Sequence, residues 1–184
     1  MKKTALIVVI TLSVTTITFV ATKKFSLVRQ NVILDDPQTS LLVTLGDSAL
    51  QHLDVPVSSI LVYNDTIIGT GYNTVIAHGD AGGHAEINAI SSALKALGKE
   101  RFNSLDRKNL VLITTFEPCL MCRGAVIEYN IRNVVFLKQK SLSHWLLKQY
   151  QELRYEVTKK QGEPESLQDS LFMKHPRYSL KAGN

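Results

Sequence analysis

The sequence predicts an α/β fold in which helices cover both faces of a five-stranded mixed sheet, a three-layer α-β-α architecture. Two observations predict it. Short runs rich in β-branched and aromatic residues alternate with longer segments whose apolar residues recur every three or four positions. The later strand-like runs are each separated by a helical segment, so the last strands are expected to be parallel.

The first predicted elements are a helix and a β-hairpin. Apolar residues at near-helical spacing predict a helix over 38–53. Two strand-like runs, 57–63 and 66–72, then flank the pair Asn64-Asp65, a pattern typical of a hairpin. The glycine-containing stretch 73–83 is predicted to be a loop.

The remaining elements continue the alternation to the end of the predicted domain. They are a helix at 84–97, a strand at 110–115, a helix at 118–129, a strand at 133–137, a helix at 141–153 and a strand at 155–158. The last of these helices is expected to turn four side chains toward the core, those of Trp145, Leu146, Tyr150 and Leu153.

Length and composition fit one ordinary domain with accessory segments. The chain has 184 residues, of which 45% are hydrophobic and 20% charged, which excludes wholesale disorder. Its net charge of +5 is unevenly distributed. Residues 23–137 carry ten basic and eleven acidic side chains, whereas the residues from 138 onward carry nine and five. This distribution favours a solvated surface over a dedicated nucleic-acid surface.

The N-terminal segment 4–22 is apolar or Thr/Ser throughout, without charge and with lysines on both sides. About 20 such residues span a bilayer as a helix. A retained membrane anchor is therefore favoured over a cleaved signal peptide, because Phe19-Val20-Ala21 is a poor cleavage site, and over a buried element of the domain. The expected localisation is membrane-anchored or exported, with the side of the membrane open.

Most of the predicted chemistry lies in two short segments, His84-Ala85-Glu86 and Pro118-Cys119-Leu120-Met121-Cys122. Cys119 and Cys122 are the only cysteines, and their spacing alone permits a redox pair, a disulfide or metal ligands. The upstream histidine favours metal. One imidazole and two thiolates leave a position open on a tetrahedral zinc, as catalytic sites do. We therefore predict Zn²⁺ held by His84, Cys119 and Cys122.

Glu86 is the predicted catalytic residue. Helix N-termini favour the thiolates that zinc needs, and bound zinc lowers the pKa of its water from near 16 toward about 7. Glu86, close to the metal but not on it, can take that proton and deliver it to a ring nitrogen and to departing ammonia. Alone, each of these residues has an ordinary structural interpretation, but their order and spacing match the signature of zinc deaminases.

Three segments, 71–90, 115–125 and 134–136, resemble the cytidine/deoxycytidylate deaminase superfamily, and the resemblance extends over 38–159. The Glu-Pro-Cys-x-Met-Cys-x-Gly-Ala form is similar to tRNA adenosine deaminases and guanine deaminases. The His-Ala-Glu-x-Asn-Ala-Ile form is similar to deoxycytidylate deaminases. The two halves of the motif therefore imply different substrates.

The resemblance implies a cytidine deaminase-like fold, a homodimer and hydrolytic deamination of an amino-bearing nucleobase, nucleoside or nucleotide by zinc-bound hydroxide. It also makes Asn73 a substrate-binding candidate, the alternative being a turn residue that closes a strand. Asp80-Ala81-Gly82-Gly83 replaces the Asp-Pro-Thr-Ala usual in the tRNA enzymes, which weakens the transfer of a tRNA substrate.

Two alternative functions remain open. One is a tRNA-specific adenosine deaminase that makes inosine, and the other is a membrane-tethered zinc protein without turnover. The predicted division of the chain is a membrane anchor or signal segment at 1–22, a tether at 23–37, a zinc deaminase domain at 38–160 and a tail at 161–184.

Overall fold

The computed structural model describes residues 32–162, 164 and 166–175, which form two compact units, one up to Leu142 and one from Ser143 onward. The elements up to the boundary are α1 (Asp36–Gln51), β1 (Ser58–Tyr63), β2 (Thr66–Tyr72), α2 (Val75–His78), α3 (Ala85–Leu97), α4 (Lys99–Ser104), β3 (Leu110–Phe116), α5 (Leu120–Glu128) and β4 (Asn133–Lys138). The elements from the boundary onward are α6 (Leu142–Thr158) and α7 (Ser166–Met173).

The sheet has the strand order β2-β1-β3-β4 and is mixed, as predicted. β1 pairs antiparallel with both β2 and β3, whereas β3 and β4 are parallel. The hairpin turns at Asn64 and Asp65, whose φ angles of 46° and 61° are those that a two-residue turn between twisted strands needs. Because β2 and β3 both run opposite to β1, their C-terminal ends lie at the same edge of the sheet.

Alternate residues of the strands face two separate cores, which confirms the three-layer architecture. On one face, Leu61 and Leu112 pack with Ile90 of α3 and Val126 of α5. On the other face, strand residues pack against Leu42 of α1. Three strand residues contribute to that second core, in keeping with the period of two in a strand: Ile60 and Val62, which alternate along β1, and Ile113 of β3.

Two glycines in β2 allow helix α3 to lie directly on the strand. A Cβ on Gly69 would stand 2.3 Å from the carbonyl oxygen of Ala89, and one on Gly71 would stand 2.3 Å from that of Ala85. No side chain larger than hydrogen fits at these distances. The close approach fixes where α3 begins relative to the end of β2.

The predicted fifth strand is wrong for the residues described: 155–158 is the last turn of α6, and the sheet has four strands. Tyr155 and Val157 favour strands locally, but no turn residue separates them from the preceding helix, and the first helix breaker downstream is Gly162. The predicted core-facing side chains on this helix also require correction, because no residue of α6 is buried. The predicted loop 73–83 contains the single helical turn α2.

The predicted membrane anchor also requires correction. Within the described part of the chain, no helix is both long enough and apolar enough to cross a bilayer. The longest helix there is α6, whose 17 residues mix charged with apolar side chains, whereas a span needs about 20 predominantly apolar residues. The segment 4–22, on which the prediction was based, lies outside the described residues.

Candidate metal centre

The three predicted metal ligands lie at the beginnings of two helices. His84 is the N-cap residue of α3, Cys119 is the N-cap residue of α5, and Cys122 is in the first turn of α5. α3 and α5 follow β2 and β3, whose C-terminal ends share one edge of the sheet. The topology therefore brings together ligands that are 35 residues apart in sequence.

The ligand atoms form a nearly equilateral triangle. Cys119 Sγ lies 3.6 Å from His84 Nδ1, Cys122 Sγ lies 3.5 Å from the same nitrogen, and the two sulfur atoms are 3.5 Å apart. A tetrahedral Zn²⁺, bound at about 2.3 Å to sulfur and about 2.0–2.1 Å to nitrogen, holds its ligand atoms about 3.5 to 3.8 Å apart. The triangle therefore fits Zn²⁺, and within the described residues it is the cluster of three donors that meets this requirement.

The two thiols influence each other's protonation. The hydrogen bond between their sulfur atoms lowers the pKa of Cys119, and the backbone N–H groups of Met121 and Cys122 lower it further. The same bond, together with burial, raises the pKa of Cys122. The pair thus presents one ready thiolate, and a cation between the sulfur atoms favours the loss of the second proton.

Glu86 lies in the first turn of α3, two residues after His84, and is only 3% exposed. Burial raises the pKa of this carboxyl group, while hydrogen bonds with its own backbone N–H and with Cys122 offset part of the rise. Glu86 is not one of the three clustered metal donors, but it lines the same pocket. A carboxyl group with a raised pKa beside a metal site is suited to carrying a proton.

A cavity of about 410 Å³ opens beside the metal ligands, a size that accommodates a small organic molecule. Acidic and amide groups and one lysine lie among apolar residues in its wall. The lining residues are Asp54, Val55, Val57, Asn73, Val75, Ile76, His84, Glu86, Phe116, Glu117, Cys119 and Lys140. The ammonium of Lys140 lies 5.3 Å from the centre of the Phe116 ring.

Asn73, the predicted substrate-binding residue, is 9% exposed and lies in the pocket wall. The backbone N–H of Ala85 donates to its Oδ1 across 3.2 Å, so the side chain also holds the first turn of α3. This bond orients the amide and leaves Nδ2 as its remaining donor. The side chain thus stabilises local backbone, and its contact with substrate stays a prediction.

Sequence reasoning did not identify two further polar residues beside the pocket. Asn88 joins α3 to the loop before it, because its Nδ2 donates to the Tyr72 carbonyl at 2.8 Å and to Thr74 Oγ1 at 3.0 Å. Asp54 accepts hydrogen bonds from the α2 turn. The only sequence signal for Asn88 is its place in the His-Ala-Glu-x-Asn pattern, and no local pattern marks Asp54.

The fold and the ligand triangle together define an α/β domain with a candidate zinc site at one edge of its sheet. Residues 37–138 match the family described as the cytidine and deoxycytidylate deaminase zinc-binding region, and the chain belongs to that family. The superfamily inferred from the two motif segments is confirmed.

The proteins similar to this chain include some named tRNA-specific adenosine deaminase and some named guanine deaminase. The tRNA-specific adenosine deaminase of Buchnera aphidicola is 41% identical over 88 residues, 48% of this chain and 55% of the relative. The tRNA-specific adenosine deaminase 2 of Xenopus tropicalis is 38% identical over 93 residues, 50% of this chain and 55% of the relative. The chain thus spans about half the length of the curated relatives it matches. The crystal structure of guanine deaminase from Bacillus subtilis superposes with a TM-score of 0.52 and 26% identity, covering 72% of this chain and 82% of that one.

Proposed function

We propose that this chain is a zinc-dependent hydrolytic deaminase of an amino-bearing nucleobase, nucleoside or nucleotide. The observation that carries the proposal is the triangle formed by His84 Nδ1 and the two cysteine sulfur atoms, with the buried carboxyl group of Glu86 beside it. The triangle and the carboxyl group lie at a cavity large enough for a nucleobase. A structural zinc site has no need of such a carboxyl group or of an adjoining cavity.

In this proposal His84, Cys119 and Cys122 hold the zinc. The bound ion supplies a water acidic enough to act as a nucleophile at neutral pH. Overall, a carbon–oxygen bond forms at the amino-bearing ring carbon, the carbon–nitrogen bond breaks, and one water is consumed for each ammonia released. The triangle leaves its cavity side for the reacting groups.

Glu86 moves the protons. Its carboxylate takes one proton from the attacking water and passes it to the ring nitrogen. It then takes the second proton from the newly formed hydroxyl group and passes it to the leaving amino group, which departs as ammonia. The raised pKa of Glu86 supports this role, because a base that holds a proton too weakly cannot return it. Its burial in the first turn of α3 keeps the carboxyl group in one position relative to His84.

Asn73 is proposed to orient the substrate. Because Oδ1 accepts from the Ala85 N–H, Nδ2 is the group of this amide that would donate to an acceptor on the base or sugar. This arrangement supports a substrate contact. The helix N–H bound to Oδ1 limits rotation of the Asn73 side chain, and a fixed amide discriminates between substrates better than a rotating one.

The substrate is either a small nucleobase compound or a tRNA adenosine. The name of the Bacillus subtilis structure supports the first, and the names of the Buchnera aphidicola and Xenopus tropicalis relatives support the second. Lys140 brings a basic side chain to the pocket wall, which supports a substrate with phosphate. The homodimer is proposed on the family resemblance. The division into a tether at 23–37, a deaminase domain at 38–160 and a tail at 161–184 stays a prediction from the sequence pattern.

An ammonia-release screen tests the proposed reaction. Purified zinc-loaded protein is offered cytosine, adenine and guanine as bases, nucleosides and nucleotides, and a tRNA anticodon stem-loop assayed for inosine. We expect ammonia or inosine from one class, and a Glu86→Gln variant that keeps its zinc and melting temperature but loses at least about a thousandfold in kcat. A Cys122→Ser control is expected to lose zinc as well.

Two results would contradict the proposal. One is the absence of product from every member of the panel, which would favour a zinc protein without turnover. The other is a Glu86→Gln protein as active as the original. Salt separates the two substrate classes, since binding of the stem-loop weakens steeply with ionic strength whereas binding of an uncharged nucleoside does not.

A further inference from the structure

We propose that Asp54 is a positioning residue that fixes one wall of the pocket by holding the α2 turn in place. The proposal rests on the proposed function for its kinetic readout, but its structural readout is independent of any reaction. Asp54 does not belong to the predicted metal or catalytic set, yet its side chain lies in the pocket wall.

Both carboxylate oxygens of Asp54 accept hydrogen bonds from α2. The N–H of Ile76 donates to Oδ1 at 3.0 Å and to Oδ2 at 3.1 Å, and the N–H of Ala77 donates to Oδ2 at 3.0 Å. Asp54 is only 4% exposed. Burial alone would raise the pKa of this group, but the backbone N–H groups outweigh burial and lower the pKa. The carboxylate is thus held ionised against the start of the turn.

At its N-terminal side the α2 turn is also held through Thr74, whose N–H donates to the Gly83 carbonyl at 2.8 Å and whose Oγ1 accepts from Asn88 Nδ2 at 3.0 Å, but neither bond reaches the N–H groups of Ile76 and Ala77. A helix of four residues does not persist alone, because nucleation costs more than its few hydrogen bonds return. No residue of α2 is buried, and its N-cap residue, Thr74, makes no side-chain cap. Asp54, 22 residues earlier in the chain, satisfies the N–H groups that the missing cap leaves free.

The end of α1 places Asp54. Leu53 has a φ of 60°, the left-handed conformation that commonly ends a helix, and its N–H donates to the Leu50 carbonyl at 3.0 Å. The N–H of Asp54 donates to the Ala49 carbonyl at 3.0 Å, which fixes the residue against the end of α1. The end of α1 therefore sets the position from which Asp54 reaches α2.

The turn matters because it carries two wall residues, Val75 and Ile76. Ile76 is 61% exposed, so its position in the wall depends on backbone hydrogen bonds and not on burial. Glu86 and the metal ligands sit on α3 and α5, which are held by the core. Losing the Asp54 contact is therefore expected to loosen substrate binding while leaving the chemical step intact.

Asp54→Asn tests the proposal, because it keeps the shape of the side chain but turns one acceptor into a donor facing a backbone N–H. Asp80→Asn is the matched control, since Asp80 also accepts a backbone N–H, that of Gly82 at 2.7 Å, but does not line the pocket. The measurements are KM and kcat on the substrate found in the screen, zinc content, and amide hydrogen exchange at Ile76 and Ala77.

We expect Asp54→Asn to raise KM about tenfold with kcat within about twofold, and to speed exchange at both amides, with zinc retained. Unchanged exchange, or a KM no higher than that of Asp80→Asn, would overturn the proposal. If Asp54→Asn does not fold, KM and amide exchange are measured on Asp54→Glu, which keeps the charge, and are judged by the same two criteria. If no substrate is found, the proposed function fails, while amide exchange still decides the role of Asp54.

Discussion

Each of the two compact units of this chain contains an amphipathic helix, but the two helices differ in whether their apolar side chains are buried. In the first unit, α3 buries Ala89, Ile90 and Ala93 against the sheet. In the second unit, α6 buries no residue, although its apolar side chains recur at the helical spacing of Leu146, Tyr150, Leu153 and Val157. Periodicity therefore shows that a helix has an apolar face, but not that a surface exists to receive it.

The receiving surface for α3 is specific. Gly69 and Gly71 leave a groove on β2 that the alanines of α3 fill. Among its described residues the second unit has two helices and no strand, and a pair of helices offers little area for a core. Stability and the candidate site should therefore both depend on the first unit.

The same substitution in both units should give the largest contrast. Leu112→Ala removes a fully buried side chain from the sheet and is expected to lower the free energy of unfolding by about 3 kcal/mol. Leu153→Ala changes a side chain that is 62% exposed and is expected to act within about 0.5 kcal/mol. Urea unfolding measures both, and equal losses would show that the second unit has a core of its own.

A glycine pair sharpens the comparison within the first unit. Gly71→Ala forces a methyl group against the Ala85 backbone and is expected to cost about 2–3 kcal/mol and to displace the start of α3. Gly124→Ala, in α5 with no atom within 4 Å of the new methyl group, should instead stabilise by about 0.5–1 kcal/mol. Thermal unfolding measures both changes. A harmless Gly71→Ala would mean that α3 does not need the groove.

An amide-to-acid change extends the comparison to activity, with the smallest expected effect. Asn73→Asp keeps the acceptor for the Ala85 N–H but removes the Nδ2 donor, so kcat/KM should fall about tenfold, roughly 1.4 kcal/mol. Gln151→Glu makes the same chemical change in α6 and should leave kcat/KM within about twofold. Steady-state ammonia release measures both, and equal effects would remove Asn73 from the substrate contacts.

The sequence predicted best what is encoded locally. The Asn64-Asp65 turn and each half of the metal motif lie within a few residues, and the structure has the turn and the ligand triangle. The predicted strand at 155–158 is wrong because the helix before it continues to Thr158, and this continuation outweighs the local strand propensity of the four residues. Asp54 was missed because its partners lie 22 residues away, where no spacing rule reaches.

The ligand triangle also has a consequence for folding. The ligands come from two strand–helix units and are 35 residues apart in sequence. A bound zinc therefore acts as a cross-link between these units at the edge of the sheet. A ligand that binds only the folded chain adds its binding free energy to that of folding, by thermodynamic linkage. Zinc availability would then set how much of this protein is folded as well as how much is active.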